Sequence, residues 1–152
     1  MTAKVKKITE THSSEQQLRD EIAALRAQLE GRRAVNVYDY LTQVKTGRLD
    51  RTEAVHAAHP AIRTHPETGV KALYVNRLMT EEIEGMAADE SDALLGELFD
   101  LVERSDFVYR HVWQPGDLLM WDNRCTQHAR TDFPTAETRL LRRVGIAGDR
   151  PY

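Results

Sequence analysis

From Glu15 to about Arg32 the apolar positions Leu18, Ile22, Leu25 and Leu29 are spaced by four, three and four residues, which sets them on one helical stripe flanked by Arg and Glu. Ser13-Ser14, with Gln17 three residues after Ser14, supplies a capping box at its start. An amphipathic helix is therefore expected over 14–33, and the polar, aperiodic residues 1–13 before it are expected as a disordered tail. A coiled coil needs the pattern sustained for about three or four heptads, so the stripe is read as packing on the chain's own core, with dimerisation through it as the alternative.

After Gly31 the stretch Ala34 to Leu41 is apolar and aromatic, and Thr42 to Ala58 then turns polar without strand alternation, so it is expected as irregular or weakly helical. His59-Pro60 through Gly69 holds two prolines and a closing glycine, the composition of extended chain entering a turn. Lys71 to Asn76 reads as a strand, and Thr80-Glu81-Glu82-Ile83 as the start of a short helical turn. A second helix is predicted from about Asp89 to Arg104, where Leu94, Leu95, Leu98, Leu101 and Val102 repeat at helical spacing and acidic residues crowd the first turn.

The last third has the two-residue period of β-structure. Phe107, Tyr109, His111 and Trp113 alternate with Val108, Arg110 and Val112; Gln114-Pro115-Gly116-Asp117 suits a type II turn; Asp117 to Asp122 returns. These predict a hairpin. A further strand is expected at Arg139 to Ile146, with Leu140, Val144 and Ile146 on one side.

Composition narrows the class. A chain of 152 residues, 41% hydrophobic and 30% charged, has the length of one ordinary domain. A net charge of -3 and a pI near 6.1 give no global field for nucleic acid or acidic membranes. The one cysteine, Cys125, excludes an internal disulfide framework and a multi-cysteine zinc site within a single chain. The N-terminal residues lack the apolar core of a signal peptide, and no stretch approaches a membrane span of about 20 apolar residues. A soluble cytoplasmic protein is the expectation.

The densest polar constellation is Trp121-Asp122-Asn123-Arg124-Cys125-Thr126-Gln127-His128, directly after an apolar strand, where chain leaving a sheet commonly presents functional groups. His128 offers an imidazole suited to iron, zinc or copper, although one histidine defines no metal site and a lone histidine is often structural. Arg139 and Arg143 are four apart in a predicted strand, so they would share one face roughly 13 Å apart while Arg142 points away. Two such guanidinium forks suit anions; a solvated strand face is the plainer alternative.

The blocks RTHPETG (Arg63 to Gly69), KALYVN (Lys71 to Asn76), WQPGDLLMWDNRCTQH (Trp113 to His128) and RLLRRVGIAGDRPY (Arg139 to Tyr152) resemble successive blocks of the taurine and 2,4-dichlorophenoxyacetate dioxygenases, in the family's order and spacing. LEGRRAVNVYDY (Leu29 to Tyr40) is similar to a segment slightly upstream, so the resemblance covers about four-fifths of the chain. The resemblance implies a mainly β fold with helices, in which residues 34–152 are the C-terminal portion of a double-stranded β-helix (jelly roll). It implies iron(II) as cofactor, 2-oxoglutarate as co-substrate, and hydroxylation of a small anionic organic substrate of the sulfonate or aryloxyalkanoate type with O2. His128 would be the distal metal ligand of the facial triad, Arg139 the partner of the far carboxylate of 2-oxoglutarate, and Arg143 the contact for the substrate's anionic group. Asp122 and Asn123 would fix the loop through hydrogen bonds, without direct chemistry.

The family's other two iron ligands come from a His-x-Asp pair upstream of these blocks, and this chain has none. Its six histidines are followed two positions later by Ser14, Ala58, Ala61, Glu67, Trp113 and Arg130. Only His65-Pro66-Glu67 offers a carboxylate there; that block is already matched elsewhere in the family, and Pro66 disfavours the ladder that would aim both side chains together. The expectation is a truncated or split dioxygenase, inactive as this chain alone, completed by a separate N-terminal half chain. The competing expectation is a non-catalytic anion-binding or scaffold protein, or an inactive fragment, self-associating as a homo-oligomer through the N-terminal helix.

Overall fold

Gly31 adopts a left-handed backbone, φ +73°, and ends the first helix, α1 (Thr2–Leu29), with Arg32 N–H returning to the Leu29 carbonyl at 3.0 Å. The apolar stretch beyond it becomes strand β1 (Arg33–Val37), followed by β2 (His56–Pro60), β3 (Ile62–Thr64), β4 (Lys71–Leu73), β5 (Thr80–Ile83) and helix α2 (Ala88–Val102), in a computed structural model that describes residues 2–38, 54–132 and 134–148. β1 is central in an antiparallel sheet of order β2-β1-β5, and β3 pairs antiparallel with β4. Ala34 through Val37 are all buried. Strands covered on both faces read as continuous apolar runs without alternation.

The core lies where the C-terminal end of α1, the sheet and α2 meet: Leu25, Leu29, Ala34, Val75, Ile83, Leu94, Leu95, Leu98 and Phe99 are buried there. The lower half of the predicted α1 stripe, Leu25 and Leu29, is buried as expected, whereas Leu18 and Ile22 are half-buried. Polar groups close the joints. The buried Ser91 hydroxyl accepts the Ile83 N–H at 2.8 Å, tying α2 to β5, and Thr80 donates to the Asn36 side chain at 2.7 Å across a register shift between Val35 and Asn36. Arg63, only 5% exposed, stacks its guanidinium 5.1 Å over the Tyr74 ring.

Several sequence expectations are corrected. The capping box expected at Ser13-Ser14 is not a helix start, because α1 runs from Thr2 and the pair lies within it; extending an existing helix costs little compared with nucleating one. Thr80 to Ile83, expected as a helical turn, is β5, because β1 offers a free edge and pairing with it overrides the weak strand preference of the two glutamates. The irregular region expected over 42–58 overlaps β2, which starts at His56; its residues 42–53 lie outside the described residues. The second helix is found close to its predicted bounds.

The largest correction concerns the last third. None of the strands expected at 107–113, 117–122 and 139–146 is formed among the described residues; a short 3-10 turn spans Ser105–Phe107 and irregular chain follows. The turn between the first two is present, with Gly116 at φ +94° and Asp117 N–H on the Gln114 carbonyl at 3.1 Å. A turn needs only its own four residues. A strand needs a neighbour to complete its ladder, and alternation alone does not supply one. No helix among the described residues is long and apolar enough to cross a membrane.

Candidate active site

Two blocks 57 positions apart in the chain meet at Asp122. Its carboxylate accepts a hydrogen bond from His65 Nε2 at 3.1 Å, from the Arg124 backbone N–H at 2.8 Å, and from Arg124 Nε and Nη2 at 2.9 and 2.6 Å. Arg124 reaches on to Glu67 at 2.8 Å, Thr126 Oγ1 donates to the Asp122 carbonyl at 2.6 Å, and Gln127 donates to the Val75 carbonyl. The turn after β3 sets up the other side: Gly69, at φ +70°, closes it, and the Thr68 N–H points at His65 Nδ1, 3.2 Å away. Nδ1 must therefore accept, which assigns the neutral ring's proton to Nε2, where it is donated to Asp122.

The charges follow from these contacts. The Arg124 side chain, then His65, then the Arg124 backbone hold the Asp122 carboxyl well below the usual carboxylate range, and Arg124 likewise lowers Glu67. Asp122 in turn raises Arg124, with Glu67 adding to it. The expected loop-fixing role of Asp122 is what the geometry shows, whereas His65-Glu67 as a substitute ligand pair is not: both side chains are spent on this bracket.

His65, Asp122 and Cys125 also place potential ligand atoms within 4.8 Å of one another, the one such trio among the described residues. The hydrogen bonds oppose a metal there. Nε2 would have to surrender its proton to Nδ1, which faces the Thr68 N–H, and Asp122 is already paired with a guanidinium. The cluster is a structural bracket.

The bracket fixes the chain six residues before His128, which is exposed, its ring 5.0 Å from that of Trp121 at 51°. Arg139 and Arg143 follow on an exposed stretch without strand pairing among the described residues. Sequence reasoning missed the bracket, since nothing in RTHPETG or WDNR alone signals that one block receives the other. It also missed the link from His111 Nε2 to the Asp117 carboxylate at 3.1 Å, with His111 packed edge-on against Trp113.

Asp122→Asn removes the charge on which the bracket depends. The amides of Arg124 and Thr126 are expected to exchange roughly tenfold faster while β1 protection is unchanged; unchanged exchange at both would overturn the assignment. The pH dependence has a definite sign. Near the ordinary pKa of 3.8 the unfolded chain takes up a proton that folded Asp122 refuses, so the contribution is complete above that value and lost as pH falls below it.

Residues 13–144 match the family described as "Taurine catabolism dioxygenase TauD, TfdA family". The chain is 36% identical over 130 residues to the alpha-ketoglutarate-dependent 2,4-dichlorophenoxyacetate dioxygenase of Cupriavidus pinatubonensis, covering 82% of this chain and 45% of that protein. It is 38% identical over 104 residues to pentalenolactone F synthase of Streptomyces arenae, covering 68% and 35%. Among solved structures, a taurine dioxygenase from Burkholderia xenovorans superposes with a TM-score of 0.51 at 33% identity, over 62% of this chain and 30% of that one. The chain thus spans less than half the length of these relatives. Antiparallel sheet with helices, and a structural neighbour of the double-stranded β-helix class, agree with the fold class that the sequence blocks implied. The chain belongs to the taurine catabolism dioxygenase TauD, TfdA family of 2-oxoglutarate-dependent dioxygenases.

Proposed function

We propose that this chain carries one iron ligand and both anion-binding arginines of an iron(II)- and 2-oxoglutarate-dependent dioxygenase that hydroxylates a small anionic organic substrate. The observation that carries the reading is the family match over residues 13–144, a span that includes His128, Arg139 and Arg143. The relative that acts on 2,4-dichlorophenoxyacetate supports an anionic substrate. In this reading Arg139 grips the far carboxylate of 2-oxoglutarate with its planar fork, and Arg143 does the same for the substrate's charge.

The donor set does not fit iron by itself. A facial triad needs two imidazoles and a carboxylate preplaced around one point. Among the described residues the one candidate ligand trio omits His128, and the sequence contains no His-x-Asp. The other two ligands therefore belong to polypeptide outside these 152 residues, and this chain alone is inactive. That same shortage favours a second reading, a non-catalytic anion-binding protein.

Succinate formation separates the two. The assay supplies iron(II), 2-oxoglutarate, O2 and either 2,4-dichlorophenoxyacetate or taurine, to the chain alone and to the chain co-expressed with the part of the Cupriavidus relative that precedes its matched segment. Succinate is expected only from the co-expressed pair. None in any combination, with no iron retained, would sink the enzymatic reading.

A further inference from the structure

Arg63 is a buried cation without a counter-ion. The residue is 5% exposed, its Nε is shut off from solvent without a hydrogen-bond partner, and among the described residues no ion pair reaches its guanidinium. The β3–β4 ladder explains the placement. Arg63 lies opposite Ala72, the Tyr74 N–H extends the ladder to the Ala61 carbonyl at 2.8 Å, and the two-residue period brings Tyr74 onto the face of Arg63. The guanidinium therefore sits 5.1 Å from the centre of the Tyr74 ring. A ring face attracts a cation, yet it supplies none of the in-plane acceptors for which a guanidinium fork is shaped.

The surroundings add positive charge. His59 stands edge-on to the same Tyr74 ring, with centroids 5.7 Å apart at 86°, and its Nε2 shares a hydrogen bond of 3.1 Å with the Tyr38 hydroxyl. Burial, then Arg33, then Arg63 hold the His59 imidazole below its ordinary pKa, the sign of a positive potential that is not balanced. Two carboxylates on neighbouring elements are already engaged: Glu84 with Arg33 at 3.2 Å, and Asp122 with His65 and Arg124. His59, Tyr38 and Tyr74 are half-buried, so the cluster borders solvent although the Arg63 Nε does not. A charge left unpaired under cover is costly, and an arriving counter-ion relieves that cost.

We propose that Arg63 anchors a binding subsite for a small carboxylate, with the His59 imidazole and the Tyr38 hydroxyl at its rim. The charge count selects the class: one guanidinium beside a neutral imidazole balances a monoanion, whereas a phosphate dianion would leave negative charge under cover. A planar carboxylate also matches the fork edge to edge. The subsite is built on β3 without Arg139 or Arg143, so it stands whether or not the function proposed above does.

Acetate is the probe, at matched ionic strength, with the 152-residue chain followed by thermal unfolding and by NMR of the Arg63 Nε–H and the His59 ring. A saturable rise in unfolding temperature is expected, with a Kd on the order of 1–10 mM for one charge-assisted fork, and both NMR signals should move along the same curve. Arg63→Met, which keeps the length without the charge, should bind acetate about tenfold more weakly or worse, and be no less stable than the parent in acetate-free buffer. Arg63→Lys keeps the charge and loses the fork, so its acetate affinity should fall several-fold; it serves as the test if the methionine variant does not fold. The proposal is overturned by a parent that does not respond to acetate, by parent-like affinity in either Arg63 variant, by a response abolished in Arg139→Gln with Arg143→Gln, or by phosphate binding more tightly than acetate.

Discussion

Truncating Leu98 to alanine is expected to lower the unfolding free energy by about 2–5 kcal/mol, the range for deleting a fully buried leucine side chain. Leu98 is 1% exposed and lies in the cluster that joins α1, the sheet and α2. It has nowhere to relax, since its neighbours Leu94, Leu95 and Phe99 are fixed on the same helix and Ile83 is held by the Ser91 hydroxyl. A domain of this size has total stability of about 5–15 kcal/mol, so the variant should be largely unfolded at modest urea by far-UV circular dichroism. Leu118→Ala is the matched control: the same deletion at a 91% exposed position should change stability by less than about 0.5 kcal/mol in the chain alone. If both variants cost the same, the core has been misplaced.

That contrast also explains how far the sequence could be read. Leu25 and Leu29, and Leu94, Leu95 and Leu98 of the second helix, were visible because a helix is decided by residues three and four apart, all within one window. β5 was misread for the opposite reason. Nothing in Thr-Glu-Glu-Ile prefers a strand, and only the edge of β1, more than 40 residues away, makes it one. The last third erred in the other direction, since its alternation is real but the partner that would turn it into strands is not among the described residues. At the candidate site, the blocks carrying His128, Arg139 and Arg143 could be matched in order. The contact of His65 with Asp122, 57 positions apart, is a tertiary event that neither block announces.

In the co-expressed assembly, His128→Ala is expected to abolish succinate formation and to weaken iron(II) binding by on the order of 100-fold or more, since even residues that merely orient a ligand commonly cost 10–100-fold. No neighbour can substitute. His65 keeps its Nε2 proton for Asp122, and moving that proton to Nδ1 would set it against the Thr68 N–H. Asp122 is committed to Arg124, and the thiol of Cys125 lies against the Asp122 carbonyl. Arg139→Lys separates binding from metal loading. It retains a positive charge but loses the planar fork, so the KM for 2-oxoglutarate should rise several-fold while iron affinity stays at the parent value. Because His128 is exposed and Trp121 is its ring neighbour, His128→Ala should leave the α1, β1 and α2 core intact, and hydrogen exchange in the same sample checks this. Full succinate yield from His128→Ala would remove this histidine from the site. Parent-like iron binding without turnover would make it a substrate-side residue and leave the metal to be held elsewhere.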